Sequence, residues 1–230
     1  MKITKLIFSA VLLLSNYTIG SSQGFESDIQ ACMTALISNN NLHLEVDIEV
    51  KHPNTKEVLE TTTSIVQRNG NITYQKMMDT ETILDQELQL VVKVDHDFEV
   101  MSIHSIKGTQ ETLITSISKM LSEMTNYYSD IETSEESNSG IVKYALRKEG
   151  KTVCEIDINR NTNRLESMTM YETKKINVHG EMIIPVMSMK YKYSDIQKVA
   201  RINSYISMND GYKPKKKYKN YKFYNLKEIQ

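Results

Sequence analysis

Asp95, His96 and Asp97 stand in a row, and carboxylates beside an imidazole could hold a metal if other ligands converged on them. The next imidazole, His104, completes no such site, because eight residues of strand at about 3.3 Å each hold it about 26 Å away. His43, Glu45 and Asp47 share one parity and so one strand face, but any solvated face offers that composition. Asp157-x-Asn159-x-Asn161 opens like a calcium loop, whose oxygens must converge on a hard cation. Thr162 stands where that loop needs glycine and Met168 where it needs a bidentate glutamate, so a hairpin turn is the better reading. There is no H-E-x-x-H, G-x-S-x-G, C-x-x-C, phosphate loop or dinucleotide fingerprint. The expectation is no catalytic site, no metal and no cofactor.

Three other residue types invite binding rather than catalysis. Residues 212–230 hold seven lysines and one glutamate, a balance of +6, interleaved with tyrosines. Such a segment mimics a nucleic-acid patch, but export points instead to a solvated final strand and, as a partner, to an anionic lipid headgroup. Thirteen methionines, among them Met77, Met78, Met101, Met168, Met170, Met187 and Met189 in strands and Met120 and Met124 on a helix, suit either irregular core packing or a cavity for flexible acyl chains. Cys32 and Cys154 both fall on apolar faces. Two buried free thiols are expected, with a disulfide as the alternative that an oxidising compartment allows.

Export itself is read from the N-terminus. Lys2 and Lys5 precede the apolar run Leu6–Leu14 and a small-residue exit near Gly20, which is the three-part pattern of a signal peptide over residues 1–22. Nine apolar residues are too few to span a bilayer, and no second run in the mature chain is long enough either. A periplasmic or secreted protein is expected. Cleavage after Gly20 leaves a net charge of −3, with −9 on residues 21–211, so body and tail attract each other. A 230-residue chain with 40% apolar and 25% charged residues can bury a core, and residues 23–230 are expected to form one domain.

The elements that must position these residues follow from periodicity. Ser27-Asp28-Ile29-Gln30 reads as a capping box opening a helix over 27–38, and a second helix over 110–127, capped by Thr109, carries the stripe Leu113, Ile117, Met120, Leu121, Met124 and Tyr128. At Leu42 the period switches to 2. Leu42, Leu44, Val46, Ile48 and Val50 alternate with polar residues, and strands follow at 58–66, 72–78, 88–94, 98–104, 141–148, 152–158, 164–172 and 182–193, with shorter pieces near 201–207 and 219–226. Residues 129–140, acidic and polar, read as a mobile loop. Register predicts that Leu146 opposes Cys154, Tyr144 opposes Ile156 and Val142 opposes Ile158, joined by a three-residue loop Glu149-Gly150-Lys151.

A signal peptide, a first helix, a meander opened by Leu42-His43-Leu44-Glu45-Val46, and a helix between sheet halves resemble the periplasmic lipoprotein carriers of the LolA/LolB-like fold. Glu155-Ile156-Asp157, Arg164-Leu165-Glu166-Ser167-Met168, Tyr191-Lys192-Tyr193-Ser194-Asp195 and Tyr218-Lys219-Asn220-Tyr221-Lys222-Phe223 extend the likeness. The resemblance implies an α+β fold, a single curved antiparallel sheet forming a half-open β-barrel, with helices packed on the concave side over acyl chains. The family's tryptophans are absent, and its lid-holding arginine has no assignable counterpart, so no residue is transferred. The apolar wall expected from alternation and the helix stripe comprises Leu44, Val46, Ile48, Leu90, Val92, Ile114, Ile117, Leu121, Met124, Leu146 and Ile156. Two functions fit: a non-enzymatic carrier of lipid or lipoprotein acyl chains, or an envelope interaction module whose barrel is filled.

Overall fold

A computed structural model describes residues 23–106, 112–128, 130–135, 139–171, 174–178, 180–195, 198–209 and 211–226. The signal-peptide reading of 1–22 and the Thr109 cap lie outside these residues. Helix α1 (Gln23–Ser38) is followed by strands β1 (Asn41–Lys51), β2 (Val58–Asn69), β3 (Ile72–Met77), β4 (Thr80–Asp85), β5 (Leu90–Asp95) and β6 (Val100–Ser105). Helix α2 (Leu113–Tyr127) precedes β7 (Asp130–Glu135), β8 (Ile141–Lys148), β9 (Lys151–Asn159) and β10 (Arg164–Met170). A small hairpin, β11 (Ile176–Val178) and β12 (Glu181–Ile183), leads to β13 (Val186–Ser194). A second pairs β14 (Ile206–Ser207) with β15 (Lys213–Pro214), and β16 (Lys222–Asn225) ends the described chain.

Twelve strands hydrogen-bond in the order β16-β6-β5-β4-β3-β2-β1-β13-β10-β9-β8-β7. The order has two free ends, and β16 joins β6 in parallel, with Lys222 opposite Val100 and Asn225 opposite Ile103. The expected antiparallel half-barrel with helices on a concave side is therefore corrected to an open mixed sheet with two helices, its two ends unpaired in the strand order. Alternation signals a strand but is blind to its direction. A parallel partner needs only a long return connection, which the chain between β6 and β16 supplies.

Two compact units divide the chain, and β1 and β2 contribute residues to both. The first holds the described residues of 23–38, 46–62 and 114–192. Its α1 begins at least four residues before Ser27, so the capping box is corrected: Phe25 is fully buried with its ring edge-on to Tyr144, and that contact recruits the extra turn. The acidic stretch expected to be a loop contains β7, paired along its length with β8. Asp130–Glu135 carries no buried alternation because it is an edge strand wet on both faces, and its charges protect that edge from further pairing.

The β8–β9 register is the expected one: Leu146 faces Cys154, Tyr144 faces Ile156 and Val142 faces Ile158. The turn differs. Lys148 pairs with Lys151 across Glu149 and Gly150 alone, both at positive φ (51° and 74°), and Val153 is the extra residue of a bulge that restores the register. A Cβ on Gly150 would meet nothing within 4 Å, so Gly150→Ala isolates the conformational term. It is expected to cost about 1 kcal/mol, read as a lower Tm; an unchanged Tm would show that the turn does not need the left-handed region.

The second unit comprises the described residues of 39–45, 63–113 and 193–226. Its meander β2–β6 includes β4, which the pattern missed because only Ile83, Leu84 and Asp85 of Thr80–Asp85 are buried. Asp85 and Asp95 shape the two hairpin turns after β4 and β5 in the same way. Asp85 Oδ1 accepts from the Glu87 and Leu88 amides, and Asp95 Oδ1 from those of Asp97 and Phe98. The core packs Ile83, Leu90, Val92, Val94, Met101 and Ile103 against Ile202, Tyr205, Ile206 and Tyr218 from the C-terminal segment.

Candidate functional site

The eleven residues expected to line one cavity are all buried, none more than 5% exposed, but they divide between the units. Leu44, Leu90 and Val92 belong to the second unit, where Leu90 and Val92 sit in the packed core just described. Val46, Ile48, Ile114, Ile117, Leu121, Met124, Leu146 and Ile156 belong to the first.

Within the first unit, strand register sets two of these residues into continuous rows. Met187, Met170, Cys154 and Leu146 oppose one another in turn across β13, β10, β9 and β8. Met189, Met168, Ile156 and Tyr144 form the adjacent row. All eight side chains are buried, and the Tyr191 hydroxyl points at the Met189 sulfur from 3.6 Å. Four methionines thus abut as two cross-strand pairs on one sheet face, and Phe25 of α1 covers the Tyr144 end. Thioethers on three rotatable bonds re-pack at small cost, unlike the branched aliphatics of the second unit. Both cysteines are free and buried. Burial first, and then the charges of Asp28 and Glu166, pushes the Cys32 thiol up to about 12, and burial pushes Cys154 up further, so neither is a nucleophile.

One polar cluster ties α1 to this sheet, and no spacing in the sequence announced it. Asp28 Oδ2 accepts from the Tyr144 hydroxyl at 2.5 Å and from Arg160 Nε at 2.7 Å, while Arg160 Nη2 donates to the Tyr144 oxygen at 3.1 Å and Nη1 pairs with Glu135. Burial and the Asp28 hydrogen bond push the Tyr144 phenol up to about 12, so it remains a donor. The Asp28 hydrogen bond likewise raises Arg160, which stays charged. The opposite face of β7–β10 bears a groove of about 500 Å3 with a polar lining that includes Glu132, Lys143, Glu155, Asp157, Ser167 and Thr169. Its carboxylates are already engaged: Asp157 with Ser167, Glu155 with Tyr171, and Glu132 with Arg147.

The residues first weighed as metal ligands have other partners. His96 Nδ1 meets the Tyr221 hydroxyl at 2.9 Å and its Nε2 meets Glu81 at 3.1 Å, whose other oxygen accepts from Tyr205 at 2.5 Å. Burial first, and then Glu81, raises the Tyr205 phenol, so this donor does not ionise. His104 hydrogen-bonds Ser102, and His43 meets Gln67. Among the described residues no three His, Cys, Asp or Glu side chains are grouped to hold a metal. Nor is any described helix long and apolar enough to cross a membrane.

No protein-family model and no curated protein matches this chain. Solved structures similar to it include a LolA superfamily protein from Nitrosomonas europaea, at 13% identity, covering 76% of this chain and 94% of that one, with a TM-score of 0.32. Another is the MucA/MucB complex of Pseudomonas aeruginosa, at 8% identity over 83% of this chain and 63% of that one, TM-score 0.40. A third is a DUF1329 family protein from Desulfovibrio piger, at 10% identity over 78% and 96%, TM-score 0.25. The resemblance to the LolA/LolB and MucB superfamily fold is thus distant and of low identity. At these TM-scores it carries no function across, and what the protein binds has to come from its own residues.

Proposed function

We propose that this is an exported, non-enzymatic binder of the acyl chains of a lipid or lipoprotein in the cell envelope, and that the chains lie along the methionine rows of the first unit. The observation that carries this reading is the pairing of Met168 with Met189 and Met170 with Met187, continued by Ile156 and Leu146. Such a wall is apolar, and it is deformable where rigid side chains would hold one shape. Access requires α1 to lift, and the Arg160–Asp28–Tyr144 cluster is what holds it. Of the eleven expected wall residues, Leu146 and Ile156 lie in these rows, and Leu44, Leu90 and Val92 belong to the other unit and are left out of the proposed site.

Binding of a fluorescent fatty acid to delipidated protein tests the reading. The wild type should bind in saturable fashion, and the fourfold Met→Leu variant at 168, 170, 187 and 189 should bind more weakly at similar stability. A second reading, a packed interaction module, draws on the near-complete burial of the same wall. Absence of fatty-acid binding by the wild type would favour it.

A further inference from the structure

The C-terminal segment of the second unit is a built platform rather than a loose tail. Lys215 N–H donates to the Tyr205 carbonyl at 2.8 Å and Lys222 N–H to that of Glu99 at 2.8 Å, with a single 3-10 turn, Lys216–Tyr218, between them. Tyr218 is 2% exposed, stacked on Tyr205 with ring centres 5.5 Å apart and meeting Tyr221 edge-on at 5.3 Å. Tyr221 in turn reaches His96. Tyr205 and Tyr218 are buried and Tyr221 partly so, while Lys213, Lys215, Lys216, Lys217, Lys219 and Lys222 are all exposed.

Among the described residues Lys213, Lys215, Lys216 and Lys219 enter no ion pair, so their charges are open to an outside anion. Beside them stands an exposed apolar group. Phe98, at the tip of the β5–β6 turn, is 75% exposed and adjoins Glu99, whose carbonyl holds Lys222. Asp97 and Glu99 flank it, but the six lysines outnumber them. A fixed array of cations next to the exposed Phe98 ring matches one chemistry on both counts, an interface with anionic headgroups above and hydrocarbon below.

We propose that Lys213–Lys222 and Phe98 dock the protein on an anionic lipid surface. This goes beyond the acyl-chain reading and does not rest on it, since every residue involved lies in the second unit. Flotation with vesicles of phosphatidylcholine, with and without phosphatidylglycerol, tests the proposal on the mature chain. Wild type should float with the anionic vesicles alone and lose binding as salt rises. Changing Lys213, Lys215, Lys216 and Lys219 to Gln, which leaves the tyrosine stack intact, should weaken binding about fivefold per lysine. Phe98→Ser should weaken it without changing the salt dependence. Near-UV circular dichroism of the tyrosines confirms that each variant is folded. Equal binding to neutral vesicles, full binding by the folded Gln variant, or binding to a soluble polyanion such as heparin with none to vesicles would each overturn the assignment.

Discussion

Leu121→Ala is expected to lower the free energy of unfolding by about 2–5 kcal/mol, because the side chain is wholly excluded from solvent and deletion leaves a void that its neighbours fill only in part. The informative comparison is Met189→Ala. Its cross-strand neighbour Met168 and the adjoining Met170–Met187 pair can flow into the space, so the loss should fall well below that of Leu121→Ala. Urea unfolding of both variants, at unchanged m-value, reads the difference. Similar losses at the two positions would show a wall packed as rigidly as any core. The acyl-chain reading would then lose its physical basis to the filled interaction module.

That contrast was only half legible in the sequence. Period 2 marked β1 so clearly that its observed burial alternates at every position from Leu42 to Val50. Polarity matching indicated the β8–β9 register, because a one-residue slip in either direction would have set Lys143 against Ile156 or Ile158. The same logic could not see the bulge. Val153 and Cys154 are both buried, and a pattern that reports only which residues turn inward does not say which of two neighbours is the extra one. Edge strands fail for the opposite reason: β7 buries almost nothing, so nothing in Asp130–Glu135 alternates. The methionines were visible as a surplus, but their assembly into rows depends on three separate pairings that only the folded sheet supplies.

Polar clusters were less legible still. Asp28 lies 116 residues from Tyr144 and 132 from Arg160, and each looks ordinary where it stands. His96 drew notice for its flanking aspartates. Asp95 proves to be a turn cap, and the partners that matter, Glu81 and Tyr221, come from β4 and the C-terminal segment. Local spacing reveals a site when one element carries it; here each cluster is gathered from three or four.

The lysine segment shows what such gathering achieves, and Tyr218→Ala is expected to undo it. The ring bridges Tyr205 and Tyr221, and removing a buried aromatic of this size should cost about 3–5 kcal/mol. Tyr221→Phe, which deletes only the hydroxyl facing His96, should cost about 1 kcal/mol. Hydrogen exchange separates the two through three amides, those of Lys215, Tyr218 and Lys222, whose acceptors are the carbonyls of Tyr205, Lys215 and Glu99. Tyr218→Ala should bring all three to rapid exchange, whereas Tyr221→Phe should leave them protected. Protection retained in Tyr218→Ala would mean that pairing of β16 with β6 alone fixes the segment. The lysines would then be held by a strand of four residues, with the aromatic stack contributing stability but not their arrangement.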